Sequence, residues 1–295
     1  MTPTAPDLRA DLRAQAQGLG YALPALLAQA QQLAAALAFG AHGRRRAGAG
    51  DEFWQYRPAQ AGDSAGAVDW RRSARGDVPF VREREWQAQS SVGIWADGAQ
   101  SMRFASDTAL PQKADRAAVL ALALALMLLR GGERVGLIGG APAKTGRSHL
   151  GPLAAEMMAQ KNPSDYGLAE MAGGRAAHLL YFSDFLGPLP ALQTAMMQAA
   201  DRGARGAMLH ILDPIEESFP FTGRIVFQSV GGSVSHQTQS AEGLRARYLE
   251  RLAQRKDELT ALSRSLGWDY HLHHTDAPAI GALIWAHGTI SGVAR

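Results

Sequence analysis

Three apolar stretches of this chain end in aspartate, at Asp97, Asp184 and Asp213. Carboxylates and hydroxyls converging at strand ends suit a hard divalent cation such as Mg2+, which takes oxygen ligands and keeps several waters. Ser101 follows Asp97 by four positions and offers a hydroxyl to the same loop. The alternative for each aspartate is a turn cap: Asp97 precedes Gly98, and Asp213-Pro214 is an ordinary turn dipeptide. A second group of chemically able side chains is His271, His273 and His274. On a strand His271 and His273 share one face. Two imidazoles without a third ligand do not make a zinc site, so these read as structural histidines.

Several chemistries are set aside by inspection. A phosphoaspartyl phosphatase loop needs a second aspartate two positions after the first, where Ala99 stands. A receiver domain needs an acidic pair before its first loop and a lysine ending a late strand, and neither is seen. No phosphate-binding G-x-x-x-x-G-K-[ST] or G-x-G-x-x-G run opens a helix, and no G-x-S-x-G elbow presents a serine nucleophile. With no cysteine there is no thiolate zinc site, disulfide or thiol nucleophile, which fits a reducing compartment.

The aspartates need elements to position them. Val92–Asp97, Arg134–Gly139, His178–Asp184, Ala207–Asp213 and Trp268–Thr275 read as strands. They alternate with helical stretches at Gln112–Arg130, Leu150–Gln160, Leu189–Arg202, Ala241–Leu266 and Pro278–His287. Such alternation predicts an α/β fold, a mostly parallel sheet with helices on both faces. Ligands in such sheets bind beyond the carboxyl ends of the strands, where the three aspartates fall. Pro142–Arg147 predicts a hairpin, and Arg224–Val230 one more strand ending at Gly231-Gly232.

Three segments follow from composition. Residues 1–40 form a helical extension: Leu23, Leu26, Leu27, Ala30, Leu33, Ala34 and Leu37 make one apolar stripe, with Pro24 where a second helix can begin. The stripe is expected to pack on the chain's own domain. Residues 41–89 are rich in arginine and aromatics, read as β or irregular structure, with Pro79–Trp86 alternating as a strand. Residues 90–295 are the α/β domain. The arginines at Arg44–Arg46 have acidic residues close by in sequence, which argues for pairing rather than nucleic-acid binding.

Composition agrees with a soluble globular protein: 295 residues, 46% hydrophobic and 19% charged, with a net charge of +3 that implies no strong field for polyanions. The apolar run Ala117–Leu129 falls short of the ~20 residues needed to span a bilayer. Met1–Asp11 lacks the basic start and apolar run of a signal peptide. A cytoplasmic protein is expected.

Read together, specific runs resemble a bacterial family, the domain-of-unknown-function family fifty-eight. They are Gly43–Arg46, Gly48–Arg57 with its acidic-aromatic centre, Gly62-Asp63, Val68–Arg75 (Val-Asp-Trp-Arg-Arg-Ser-Ala-Arg), and Val81–Glu85. The resemblance continues through the Asp97 loop with Ser101-Met102, Arg130–Gly136, Ser183–Phe185, Leu212–Glu216, Pro220–Gly223, Gly267-Trp268 and His274–Asp276. It implies a von Willebrand factor type A-like, Rossmann-like sheet with a metal-ion-dependent adhesion site at the strand ends.

The first motif of that site is Asp-x-Ser-x-Ser, and here it reads Asp97-Gly98-Ala99-Gln100-Ser101, one serine short. By the same resemblance Asp184 matches the later aspartate, and Ser148 or Thr145 is the nearest candidate for the threonine. The implied metal residues are thus Asp97, Ser101, Asp184 and Ser148, with Mg2+ weakened by Ala99. The resemblance further implies work with a MoxR-type AAA+ ATPase and membrane-anchored type A proteins in assembly or maturation of other complexes. The expected function is a non-enzymatic, protein-binding adaptor, without nucleic acid or direct membrane insertion. The alternatives are a metal-dependent hydrolase using the same carboxylates, and a metal-free structural module. Glu52, Arg57, Asp63, Asp69, Trp70, Arg71 and Arg75 are either a partner-facing patch or an internal ion-pair and stacking network.

Overall fold

The computed structural model describes residues 23–37, 53–60, 68–74, 78–84, 91–160, 162, 164–167, 176–233 and 235–291. In chain order the elements are α1 (residues 23–37), β1 (Phe53–Pro58), α2 (Trp70–Ser73), β2 (Phe80–Arg84), β3 (Ser91–Ala96) and α3 (Lys113–Arg130). Then come β4 (Arg134–Leu137), α4 (Leu150–Ala159), β5 (His178–Ser183), α5 (Leu189–Asp201), β6 (Arg205–Leu212) and α6 (Pro214–Ser218). β7 (Ile225–Gln228), β8 (Ser235–Thr238), α7 (Glu242–Ser265), β9 (Asp269–His274) and α8 (Ala279–Ser291) complete the order. Two compact units result: α1 together with the chain from β3 onward, and the segment holding β1, α2 and β2.

The first unit is built on a five-stranded sheet in the order β4-β3-β5-β6-β9, every neighbouring pair parallel. Strand periodicity sends alternate side chains to opposite faces, and the two cores follow from it. Leu180, Phe182, Leu209 and Ile211 join the core that also contains buried residues of α3, α4 and α8. Leu179, Tyr181 and Met208 join the core filled by α5, α7 and Trp268. The central strands β5 and β6 are therefore buried on both faces, which is why they are largely apolar runs, whereas the edge strand β9 is polar and half-buried.

α3 is apolar nearly all round because it is covered on all sides. It meets α4, α8 and strands β3, β4 and β5, and Ala117, Leu120–Ala125 and Leu128 are among its buried residues. α1 adds Ala30 and Ala34, both fully buried, to the same core, with Leu23, Leu26, Leu27, Leu33 and Leu37 packed against it. The predicted extension is, over residues 23–37, one of the helices of the sheet's own unit. Among the described residues no helix is long and apolar enough to cross a membrane.

The hairpin after β4 pairs Lys144 with Val135. The strand expected at Arg224–Val230 lies outside the parallel sheet: β7 pairs antiparallel with β8 in a separate two-stranded sheet. Its base is an aromatic cluster of Phe219, Phe221, Phe227 and Tyr248. In the second unit β1 and β2 pair antiparallel, with a register shift between Phe53 and Gln55. Asp69 caps α2, its Oδ1 accepting from Arg72 N at 3.1 Å.

Candidate functional site

β3 and β5 are neighbours in the sheet, so the residues following them meet at its carboxyl edge. Asp97 continues the pairing with its backbone N donating to Phe182 O at 2.9 Å. Its carboxylate is buried. Oδ1 accepts from Ala99 N at 2.9 Å, and Oδ2 accepts from Ser183 Oγ at 2.6 Å. Burial raises the Asp97 carboxyl to about 6, against the opposing pull of the Ser183 and Ala99 hydrogen bonds. Gly167 lies over this carboxylate, so closely that a Cβ there would collide with both of its oxygens. Only glycine fits that approach.

Beside it, Asp184 is also buried, its Oδ1 accepting from Leu186 N at 3.2 Å. Its Oδ2 accepts from Lys113 Nζ at 2.9 Å, and the same ammonium donates to Glu216 Oε1 at 2.7 Å. Lys113 is the first residue of α3, and its side chain is fully buried. Glu216 is itself held by a capping box on α6: its Oε2 accepts from Asp213 N at 2.8 Å, while Asp213 Oδ1 accepts from Ile215 N at 3.0 Å. Asp213 Oδ2 accepts from Ser106 N at 2.9 Å, tying the loop after β3 to the end of β6.

A cation at the start of a helix opposes the helix dipole, and burial adds a desolvation cost. Two close carboxylates offset both. Burial pushes the Lys113 ammonium down, but the charges and hydrogen bonds of Asp184 and Glu216 outweigh it and hold the group above the usual lysine value. Burial lifts the Glu216 carboxyl against the pull of Lys113, the opposite sense for the same pair. The contacts of one ammonium with two carboxylates decide for a charged Lys113.

The structure thus brings together Asp97, Asp184 and the Ser101 loop. Ser101 lies in a 3-10 turn, its N donating to Asp165 O at 2.8 Å, and its buried Oγ has no hydrogen-bond partner among the described residues. Ser148 and Thr145 do not join them. The hairpin returns the chain to the amino-terminal end of β4, where the buried His149 Nε2 meets Val135 O at 3.1 Å, and the side chains of Thr145 and Ser148 are exposed there. Ser148 is therefore removed from the predicted metal set. Lys113, Ser183, Glu216 and Gly167 were not expected at the site.

A magnesium ion bonds its oxygen ligands at about 2.0–2.1 Å. To reach Asp184 Oδ2 it would have to take the place of the Lys113 ammonium. Both Asp97 oxygens already accept hydrogen bonds under the cover of Gly167. Among the described residues no group of three or more His, Cys, Asp or Glu side chains is arranged to hold a metal ion. The residues as placed do not fit a resident divalent cation.

The histidines of β9 divide rather than converge. His271 stacks on Trp285 with centroids 4.9 Å apart. His273 is buried, which pushes it down to about 4, with Arg116, His271 and His274 adding to the effect. His274 pairs with Glu217, which also binds Lys256. His210, fully buried on β6, meets Tyr270 Oη through Nδ1 at 2.7 Å. Of the arginine-aromatic signature, Asp69 is a cap, Trp70 is 64% exposed and Arg71 is exposed. Arg57 takes part in β1 through its backbone, paired with Val81, while Glu52, Asp63 and Arg75 lie outside the described residues, as do Arg44–Arg46.

A parallel, doubly covered α/β sheet with an ion-paired carboxylate cluster at its strand ends defines the class of this protein. The chain belongs to the family described as protein of unknown function DUF58, whose profile matches residues 55–258. It is similar to uncharacterized proteins of Mycobacterium bovis and of two strains of Mycobacterium tuberculosis. Each is 26% identical over an alignment of 245 positions that covers 75% of this chain and 73% of the relative. No solved structure matches the chain significantly.

Proposed function

We propose that this protein is a non-enzymatic adaptor that engages a protein partner through the carboxyl-end face of its sheet. Its partners on this reading are a MoxR-type AAA+ ATPase and membrane-anchored type A proteins, in assembly or maturation of other complexes, as the family resemblance implies. One observation carries the binding role over catalysis: the strand-end carboxylates are buried and already bonded to internal donors. Asp97 is held by Ser183 and Ala99, Asp184 by Lys113 and Leu186, and Asp213 by Ser106 and Ile215. A general base must reach a substrate proton, and these groups are turned inward.

What the face offers outward is its rim. Arg103 is exposed in the turn after Asp97. Val230, 48% exposed, stands in the β7–β8 turn, which Asp165 ties to the strand-end loops through Ser229 Oγ at 2.7 Å and Ser233. A charged group and an exposed aliphatic beside carboxylates that are already hydrogen-bonded inside suit a protein contact. Purified protein immobilised on resin is expected to retain the AAA+ ATPase of the same bacterium equally in Mg2+ and in EDTA. Arg103→Glu with Val230→Asp is expected to reduce capture at least tenfold. Capture unaffected by the double change, or none by the wild type, overturns the reading.

A further inference from the structure

We infer that Lys113 is a built-in cation: its ammonium takes the position among the strand-end carboxylates that a divalent ion would otherwise fill, making this face independent of metal. This role for Lys113 does not depend on the identity of any partner. The arrangement of charge points to it. Asp97, Asp184 and Glu216 are carboxylates brought to one edge of the sheet from β3, β5 and the α6 turn, and such a group needs positive charge to remain buried. The positive charge comes from Lys113, with Nζ 2.9 Å from Asp184 and 2.7 Å from Glu216. Its side chain is fully buried at the start of α3, a position where the helix dipole disfavours a cation. A lysine placed there against both burial and dipole is explained by the carboxylates it neutralises.

The surrounding residues fit this reading. A hard ion wants hydroxyl and water ligands around the carboxylates, yet residue 99, two positions after Asp97, is an alanine with no exposed surface. Gly167 closes over Asp97 where ligand waters would stand. The ammonium is a tethered single charge with three donors, whereas Mg2+ is a free double charge with six coordination positions. A partner's carboxylate can complete the shell of a metal ion, but it has no open position on Lys113, which is enclosed. Recognition at this face then cannot proceed through a shared cation.

The test uses the full chain and Mn2+ as the probe. Wild type is expected to show no stoichiometric Mn2+ binding by paramagnetic resonance at up to millimolar ion, and the same thermal midpoint in Mn2+, Mg2+ and EDTA. Lys113→Ala frees both the carboxylates and the space. It is expected to melt lower in EDTA and to recover by roughly 2–4 °C in millimolar Mn2+, the response of a ligand bound by the folded state alone. Lys113→Met, which keeps the volume without the charge, is expected to melt lower with no recovery. One Mn2+ bound per wild-type chain, or a wild-type midpoint that falls in EDTA, overturns the inference. So does a Lys113→Ala protein that folds and shows no response to the ion. If neither variant folds, the wild-type titration decides alone, absence of binding upholding the inference.

Discussion

Asp97 is buried as an acid whose proton the folded chain holds more tightly than the unfolded one, at about 6 against 3.8. The contribution of this group to stability is therefore largest below the lower value, and it is lost as pH rises through about 6. The whole loss is on the order of 3 kcal/mol, since each tenfold change in acidity is worth about 1.4 kcal/mol. His210 acts in the opposite sense. Burial pushes it down to about 3 from 6.5, so its contribution is missing at low pH and grows as pH rises through that interval. The two partly cancel between about pH 4 and 6. Asp97→Asn removes one of them: urea unfolding at pH 4.5 and 7.5 is expected to show the variant gaining on wild type by about 2 kcal/mol at the higher pH. A constant difference between the two curves would count against a buried carboxylate. Asp97 and Asp184 were legible in the sequence because each ends an apolar run. Lys113 was not. It sits beside Asp115 at a helix start, as a solvated residue would, and its partner Glu216 lies 103 positions away. The signal that could have found it was the surplus itself: three buried strand-end aspartates imply a cation somewhere.

At the level of elements, α3 does two jobs. Its apolar turns fill the core, and its first turn fastens the strand ends. One turn in, Arg116 donates to Thr275 O at 2.6 Å and to Ala277 O at 3.2 Å, bracing the connection from β9 to α8. Arg116→Ala leaves those carbonyls without their charged donor. It is expected to cost about 1.5–3 kcal/mol in chemical unfolding, with faster amide exchange over residues 275–281. An unfolding midpoint equal to wild type would show the brace to be decorative. The central strands and α3 could be read from sequence because both faces of the sheet are covered there and the runs are correspondingly apolar. β8 could not. Its Ser-His-Gln-Thr is polar and largely exposed, and it is a strand only because β7 pairs with it. The separation of that hairpin from the main sheet likewise depends on Phe219, Phe221, Phe227 and Tyr248 meeting across distance, which no local pattern encodes.

For the whole molecule, the helix at residues 23–37 counts as part of the sheet's unit although the other unit, His42–Gln89, intervenes in the chain. Its apolar stripe showed in the sequence that it must lie on something. The core it joins is assembled from α3, α4, α8 and the sheet, which lie far away in the chain. Ala30 is fully buried there, so Ala30→Asp sets an unpaired charge in the core. The expected cost is about 3–5 kcal/mol, read as a lower midpoint for the entire sheet unit rather than local fraying of one helix. Loss of helix signal in a separate, earlier step would mean that α1 is an independent appendage.

The placement of Lys113 also bears on covalent chemistry. Lys113, Lys144, Lys161 and Lys256 are the four lysines of the chain, and the first has no exposed surface. An acylating reagent or enzyme can reach that amine only while α3 and the strand ends are parted, so its rate of modification is a clock for their opening. Once acylated, the side chain has lost its charge and gained volume, so it no longer fits the enclosed place beside Asp184 and Glu216. The mark would act as a ratchet, turning a transient opening into a lasting one.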